Sequence, residues 1–136
     1  MNSTKDFGQL TPQEVDRLAE EQAEKLTEQR VKTNQVRNLY SVVQRVRATR
    51  DRAGDPEGVK AEIMRQLIFL KPRLAYASAR TPGLRALRNF LANDVIDGVA
   101  RSARFGAAID NFFTLMEAIV AYHYFYGKDK GLVERD

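Results

Sequence analysis

The sequence predicts an all-α protein, a compact bundle of five or six helices. Apolar residues recur three and four positions apart in almost every segment, and no stretch sustains the period-two alternation of a half-buried strand. Helix-start signals also repeat: Thr11-Pro12 and Thr81-Pro82 each place a capping hydroxyl before a proline suited to the first helical turn.

The first helix is predicted from Thr11, with Glu14 completing a capping box, to near Arg30. Its stripe is Val15, Leu18, Ala19, Gln22 and Leu26, in which only Gln22 is polar. Thr33 or Asn34 caps a second helix with Val36, Leu39, Tyr40, Val43 and Val46 inward, and with Arg37, Ser41, Gln44, Arg45 and Arg52 outward. Asp55-Pro56 restarts the chain into a third helix marked by Val59, Ile63, Leu67 and Leu70, flanked by Met64 and Ile68. Pro72 lacks a backbone donor, so a break or kink is expected after Leu70, followed by a short helix through Leu74, Ala75 and Tyr76. Thr81-Pro82 opens a helix carrying Leu84, Leu87, Leu91 and Val95, and Gly98 and Gly106 bracket a connection. The last helix carries Ile109, Phe112, Phe113, Met116, Ile119, Val120 and His123 and is expected to end at Gly127. Residues 1–10 read as a flexible N-terminal tail and 128–136 as a C-terminal tail around a single helical RNA-binding and assembly domain over 11–127.

The 136 residues, 43% hydrophobic and 29% charged, suit one globular domain with one modest core. The absence of cysteine excludes disulfides, zinc–thiolate and iron–sulfur sites and thiol nucleophiles. A single histidine excludes paired-histidine metal motifs. No run approaches the roughly 18 apolar residues of a membrane span, and the polar stretch Met1 to Leu10 lacks a signal segment, so a cytoplasmic protein without a membrane partner is expected.

Charge is distributed in blocks. Residues 1–29 hold seven acids and three bases, residues 30–50 hold six bases and no acid, and Ile63 to Asn93 again holds six bases and no acid. Two acid-free, arginine-dominated tracts are an electrostatic footprint for a polyanion, since the guanidinium fork suits phosphate. The candidate RNA-binding residues are Arg37, Arg45, Arg52, Lys71, Arg73, Arg80, Arg85 and Arg88. Arg47 and Arg50 fall nearer the apolar stripe, where their stems cover core residues or their heads pair across an interface.

Chemistry has little to stand on. His123 lies on an apolar stripe with no acid at i−4 or i+4, which favours a structural imidazole over a nucleic-acid contact or a catalytic base. Asp94 and Asp97 read as a solvated or salt-bridged pair; magnesium is the alternative. Glu117, inside the last helix, is expected to pair with an arginine of another helix if buried. No phosphate-binding glycine loop, zinc-protease or calcium-loop pattern is present, so neither enzymatic activity nor a cofactor is expected. Tyr76, Tyr122, Tyr124 and Tyr126 are stacking candidates whose commoner fate is the core or a protein contact. Tyr124 and Phe125 make an aromatic end assigned to an assembly interface, whereas Phe112, Met116 and Ile119 bury the same helix in its own bundle.

Three segments resemble the small helical subunit of the Csm, type III-A, CRISPR interference complex. Thr33-Asn34-Gln35-Val36-Arg37 is similar to that family's Thr-x-Gln-hydrophobic-Arg opening of a helix. Leu70-Lys71-Pro72-Arg73-Leu74-Ala75-Tyr76-Ala77-Ser78-Ala79-Arg80 resembles its Leu-Lys-Pro-Lys-Leu-Ala-Tyr-Ala-Ala-Gly-Arg segment, with Arg73 for the frequent lysine and Ser78-Ala79 for the usual small pair. Glu117-Ala118-Ile119-Val120-Ala121-Tyr122-His123 is similar to its terminal helix. The resemblance implies a non-catalytic, multicopy subunit lining one side of the channel that holds guide RNA and target RNA, among other Csm complex subunits and neighbouring copies of itself. In that family other subunits perform cleavage and signalling, and base pairing supplies sequence choice. The alternatives are a helical DNA-binding protein, which would need a recognition helix for the major groove, and a protein-only scaffold with a basic surface.

Overall fold

The computed structural model describes residues 5–133. Five helices account for most of them: α1, Pro12–Glu28; α2, Thr33–Arg52; α3, Lys60–Arg80; α4, residues 85–101; and α5, Phe105–Lys128. Within α4, Arg85–Asn89 and Ile96–Arg101 are joined by a π-helical turn, Phe90–Val95, whose flanking residues keep helical dihedrals. No strand occurs among the described residues.

The start of α1 follows from sequence chemistry. Thr11 accepts from the Glu14 amide at 3.2 Å, Glu14 accepts from the Thr11 amide at 2.9 Å, and Pro12 takes the first position. Its stripe buries Val15, Ala19, Gln22 and Leu26. The end of α1 is a Schellman turn: the Val31 amide bonds the Leu26 carbonyl, the Arg30 amide bonds the Thr27 carbonyl, and Arg30 takes φ 58° where glycine is usual. The end of α5 repeats that geometry with Gly131 at φ 72° and the Leu132 amide on the Gly127 carbonyl.

The helices form a ring in the order α1, α5, α2, α3, α4, with α4 closing back on α1. Tyr122 meets Asp16 and Tyr126 meets Glu20, so α1 and α5 run parallel. Arg47 reaches Glu117 and Arg50 reaches Asp110, so α2 runs antiparallel to α5. Helix α5 supplies ten buried positions, including Ile109, Phe112, Met116, Ile119 and His123. By length and composition alone this helix is apolar enough to cross a membrane. Counting consecutive apolar residues misses this, because Asp110, Asn111 and Glu117 interrupt the run; in the fold it is the core helix, held by α1, α2 and α4.

Several sequence expectations are corrected. Helix α2 starts at Thr33, capped by neither Thr33 nor Asn34: its N-cap is Lys32 with no side-chain bond, and the buried Thr33 gives its amide to the Leu132 carbonyl at 2.9 Å. Helix α3 does not break at Pro72 but continues to Arg80. Pro72 and Ile68, whose carbonyl loses its i+4 donor, both lie on the exposed side, while Leu67, Leu70 and Leu74 anchor both flanks of the proline in the core. Gly98 is buried inside α4 and Gly106 lies inside α5; the connection between these helices is residues 102–104. Gly127 does not end α5. A Cβ there would meet the Leu132 Cβ at 3.2 Å, so this glycine admits the returning chain, and Gly131 supplies the left-handed residue.

Each expected tail is anchored to the core by one buried residue, Phe7 at the front and Leu132 at the back. Residues 1–4 and 134–136 lie outside the described residues. Phe7 is 1% exposed within a 3-10 turn, and Leu132 is fully buried. Asp6 fastens the front segment by accepting from Ser102 Oγ, the Ala103 amide and the Gly8 amide, which together hold its carboxyl below the usual range.

Candidate nucleic-acid interface

The outer face of α3 carries an alternation of cation and ring. Arg65, Phe69, Arg73, Tyr76 and Arg80 follow one another at spacings of four and three, so they share one side of the helix, and all five are exposed. Phe69 is 59% and Tyr76 64% exposed, too open for core residues. The stripe spans about 22 Å, fifteen residues at roughly 1.5 Å each.

Two hollows lie where α3 meets the antiparallel α2. The first, about 290 Å³, is lined by Val42, Arg45, Val46, Arg65, Gln66, Phe69 and Arg73. The second, about 390 Å³, is lined by Asn38, Leu39, Val42, Pro72, Arg73 and Tyr76. Val42 and Arg73 belong to both, so Arg73 stands on their common wall. At the far end the Arg80 guanidinium lies 5.7 Å from the Tyr76 ring centroid and donates to its hydroxyl at 3.3 Å. Arg65 is held by Glu62 through bonds of 2.8 and 3.1 Å, and this arginine is the main reason the Glu62 carboxyl is held low.

The candidate residues named from sequence divide by this geometry. Arg45, Arg73 and Arg80 come together along the α2–α3 face. Arg37 is exposed on α2, one residue before the groove-lining Asn38. Arg52, at the end of α2, donates to Thr49 Oγ1 at 3.4 Å. Lys71 is half-buried in an ion pair with Asp97 at 2.7 Å, a strut between α3 and α4. Arg85 lines a separate hollow of about 530 Å³ with Lys25, Glu28 and Asn89, and Arg88 bonds the Asn89 side chain at 2.8 Å. Sequence reasoning passes over Arg65 and Phe69 as site residues. The signal for Phe69 is the unbroken Leu67-Ile68-Phe69-Leu70 run, of which a helix cannot bury every member.

Other candidates resolve as structural. His123 is 1% exposed and its Nε2 donates to the Val31 carbonyl at 2.9 Å; burial pushes its pKa below the ordinary imidazole value, partly offset by that bond. Arg47 lies over the Phe113 ring at 5.2 Å and reaches Glu117 at 3.7 Å; Glu117 is thus paired, though mostly exposed. Arg50 bridges to Asp110 through two bonds of 3.1 and 3.3 Å. Tyr122 and Tyr126 stack on each other, with ring centroids 6.3 Å apart, and give their hydroxyls to Asp16 and Glu20, which commits both rings to α1. Glu20 pushes the Tyr126 phenol up to about 12. Tyr124 and Phe125 remain exposed, at 47% and 69%. Among the described residues no group of three or more acidic or imidazole side chains is placed to hold a metal ion.

A basic, aromatic face on an all-helical ring agrees with the type III-A resemblance, and a family comparison decides the matter: the Csm2 Type III-A family model matches residues 9–129. The chain belongs to the Csm2 family. No curated protein and no solved structure matched it. Csm2 proteins are non-catalytic small subunits of the type III-A CRISPR complex, and this chain takes that role. The matched span takes in both α2 and α3, so the groove between them lies within the Csm2 domain.

Proposed function

We propose that this Csm2 subunit lines the RNA channel of the type III-A complex in the cytoplasm, holding the phosphate backbone of guide RNA or target RNA through Arg45, Arg73 and Arg80. Tyr124 and Phe125 meet other Csm complex subunits or a neighbouring copy. The observation that supports the RNA role is the position of Arg73 on the wall shared by the two α2–α3 hollows, with Arg45 and Arg80 flanking it. Lys71 is left out of the contact set because Asp97 already holds it. Phosphate contacts give affinity without reading sequence, which leaves sequence choice to base pairing.

The test is titration of unrelated single-stranded RNAs of equal length across a salt series. The wild-type chain is expected to bind them alike and to weaken as salt rises. Alanine at Arg45, Arg73 and Arg80 together should lower the log–log salt slope by roughly 2, at about 0.7 per phosphate contact on a single strand. Alanine at Lys128 and Lys130 should change it much less. Equal losses from the two variants, or tight binding of one sequence with little salt response, would defeat the proposal.

A further inference from the structure

We propose that the α3 stripe takes unpaired bases: one base against Phe69 in the first hollow, one against Tyr76 in the second, and the linking backbone on Arg73. This rests on the RNA-binding reading above and adds what it leaves open, which is the part of the nucleotide that the groove accepts.

Phosphate binding alone does not explain the rings. A surface that only neutralises phosphates needs cations, yet here every second position of the stripe is a ring, and both rings are more than half exposed beside apolar walls. Leu39, Val42 and Val46 supply the apolar part of the α2 side, with Asn38 and Arg45 beside them. A single strand presents the matching alternation, a flat π face and then a charge, and a ring accepts any base because every base has a π face. The rings stand about 10 Å apart along the helix, seven residues at roughly 1.5 Å each. Stacked neighbours along a strand are only about 3.4 Å apart, so the two hollows hold separate, splayed bases. Paired bases keep their faces inside the duplex, so the groove favours unpaired nucleotides. Arg80, already over the Tyr76 ring, adds a cation to that stack.

The experiment uses the full chain and an unstructured RNA strand carrying 2-aminopurine at one interior position. Wild-type protein should change the fluorophore's emission on binding and should prefer this strand to a duplex of the same length. The F69A/Y76A pair, both exposed positions, should stay helical by circular dichroism, lose the emission change, and bind roughly tenfold or more less tightly, with its salt slope unchanged. The F69L/Y76L pair keeps apolar bulk without a π face and should show the same loss, which keeps the test open if the alanine pair misfolds. Ring variants that bind and respond like wild type overturn the base-stacking inference while leaving the arginine proposal standing. Loss of RNA affinity in the arginine variant but not in the ring variants overturns it in the same way. A salt slope indifferent to the arginines overturns the RNA reading itself. If the ring variants keep RNA binding but change the native mass of the RNA-free protein, the rings belong to a protein contact and the inference fails.

Discussion

His123 shows how one side chain ties the last helix to the turn between the first two and sets a pH limit. Its Nε2 donates to the Val31 carbonyl in the turn between α1 and α2, and burial disfavours its charged form. A histidine whose folded pKa is depressed binds its proton more readily in the unfolded chain, so its stabilising contribution is complete above about pH 6.5 and declines below it. This is the only histidine, and the carboxyls of Asp6, Glu14 and Glu62 are held below their ordinary values, Glu14 to about 2 by Lys5 and the Thr11 amide. Those acids act at lower pH, so the window from about 6.5 to about 5 isolates the imidazole. Thermal unfolding should show stability falling through that window for the wild type and nearly level for H123Q; identical slopes would remove the assignment. The structural nature of His123 is legible in the sequence because its position on an apolar stripe is a local fact. Its carbonyl partner, ninety-two residues away, is not, since nothing local marks which backbone group a buried imidazole meets. The tyrosines are hard to assign from sequence for a similar reason. Tyr122 and Tyr126 share a face, but only the approach of α1 supplies Asp16 and Glu20 and takes both rings out of contention for bases.

At the scale of the element, α3 separates local propensity from tertiary support. Proline inside a helix removes a hydrogen bond and costs about 3 kcal/mol in an unsupported interior, yet Pro72 is carried within an unbroken helix because three leucines are buried around it. Expecting a break after Leu70 also severs Phe69 from Arg73, which is why the alternating stripe does not emerge from sequence although each of its members is visible there. P72A should restore a donor for the Ile68 carbonyl and raise stability by about 1–2 kcal/mol, the gain being reduced by the greater freedom of the unfolded chain. Denaturant titration would check this; a destabilised variant would mean that the proline ring itself supports the groove wall. Capping is legible at the front of α1, where Thr11, Pro12 and Glu14 are adjacent in the chain. It is not legible at the start of α2, where the partner of the Thr33 amide is the distant Leu132 carbonyl.

For the whole molecule, the ring order places the acid-rich α1 beside α5 and α4, and the cationic stripe on α3 two places away. The aromatic end of α5 lies apart from the α2–α3 groove, since neither Tyr124 nor Phe125 lines either hollow. Alanine at both positions should therefore leave helicity and isolated RNA binding largely intact while lowering incorporation into reconstituted type III-A particles, read by native mass analysis. Normal incorporation would dismiss this surface as an interface, and unfolding would return the rings to the core. The all-helical class is legible because helical periodicity is a local pattern. The ring order is not, because it depends on which stripes meet across the chain. That order has a consequence for synthesis. Helix α1 lies chiefly along α5, and the start of α2 is completed by Leu132, so both wait for the last-made helix to complete their packing. At about 5–20 residues per second, a nascent chain carries the α1 stripe without its main partner for several seconds before α5 emerges. A ribosome pausing ahead of residue 105 prolongs that exposure. Codon choice upstream of α5 should therefore alter the soluble yield without altering a single side chain.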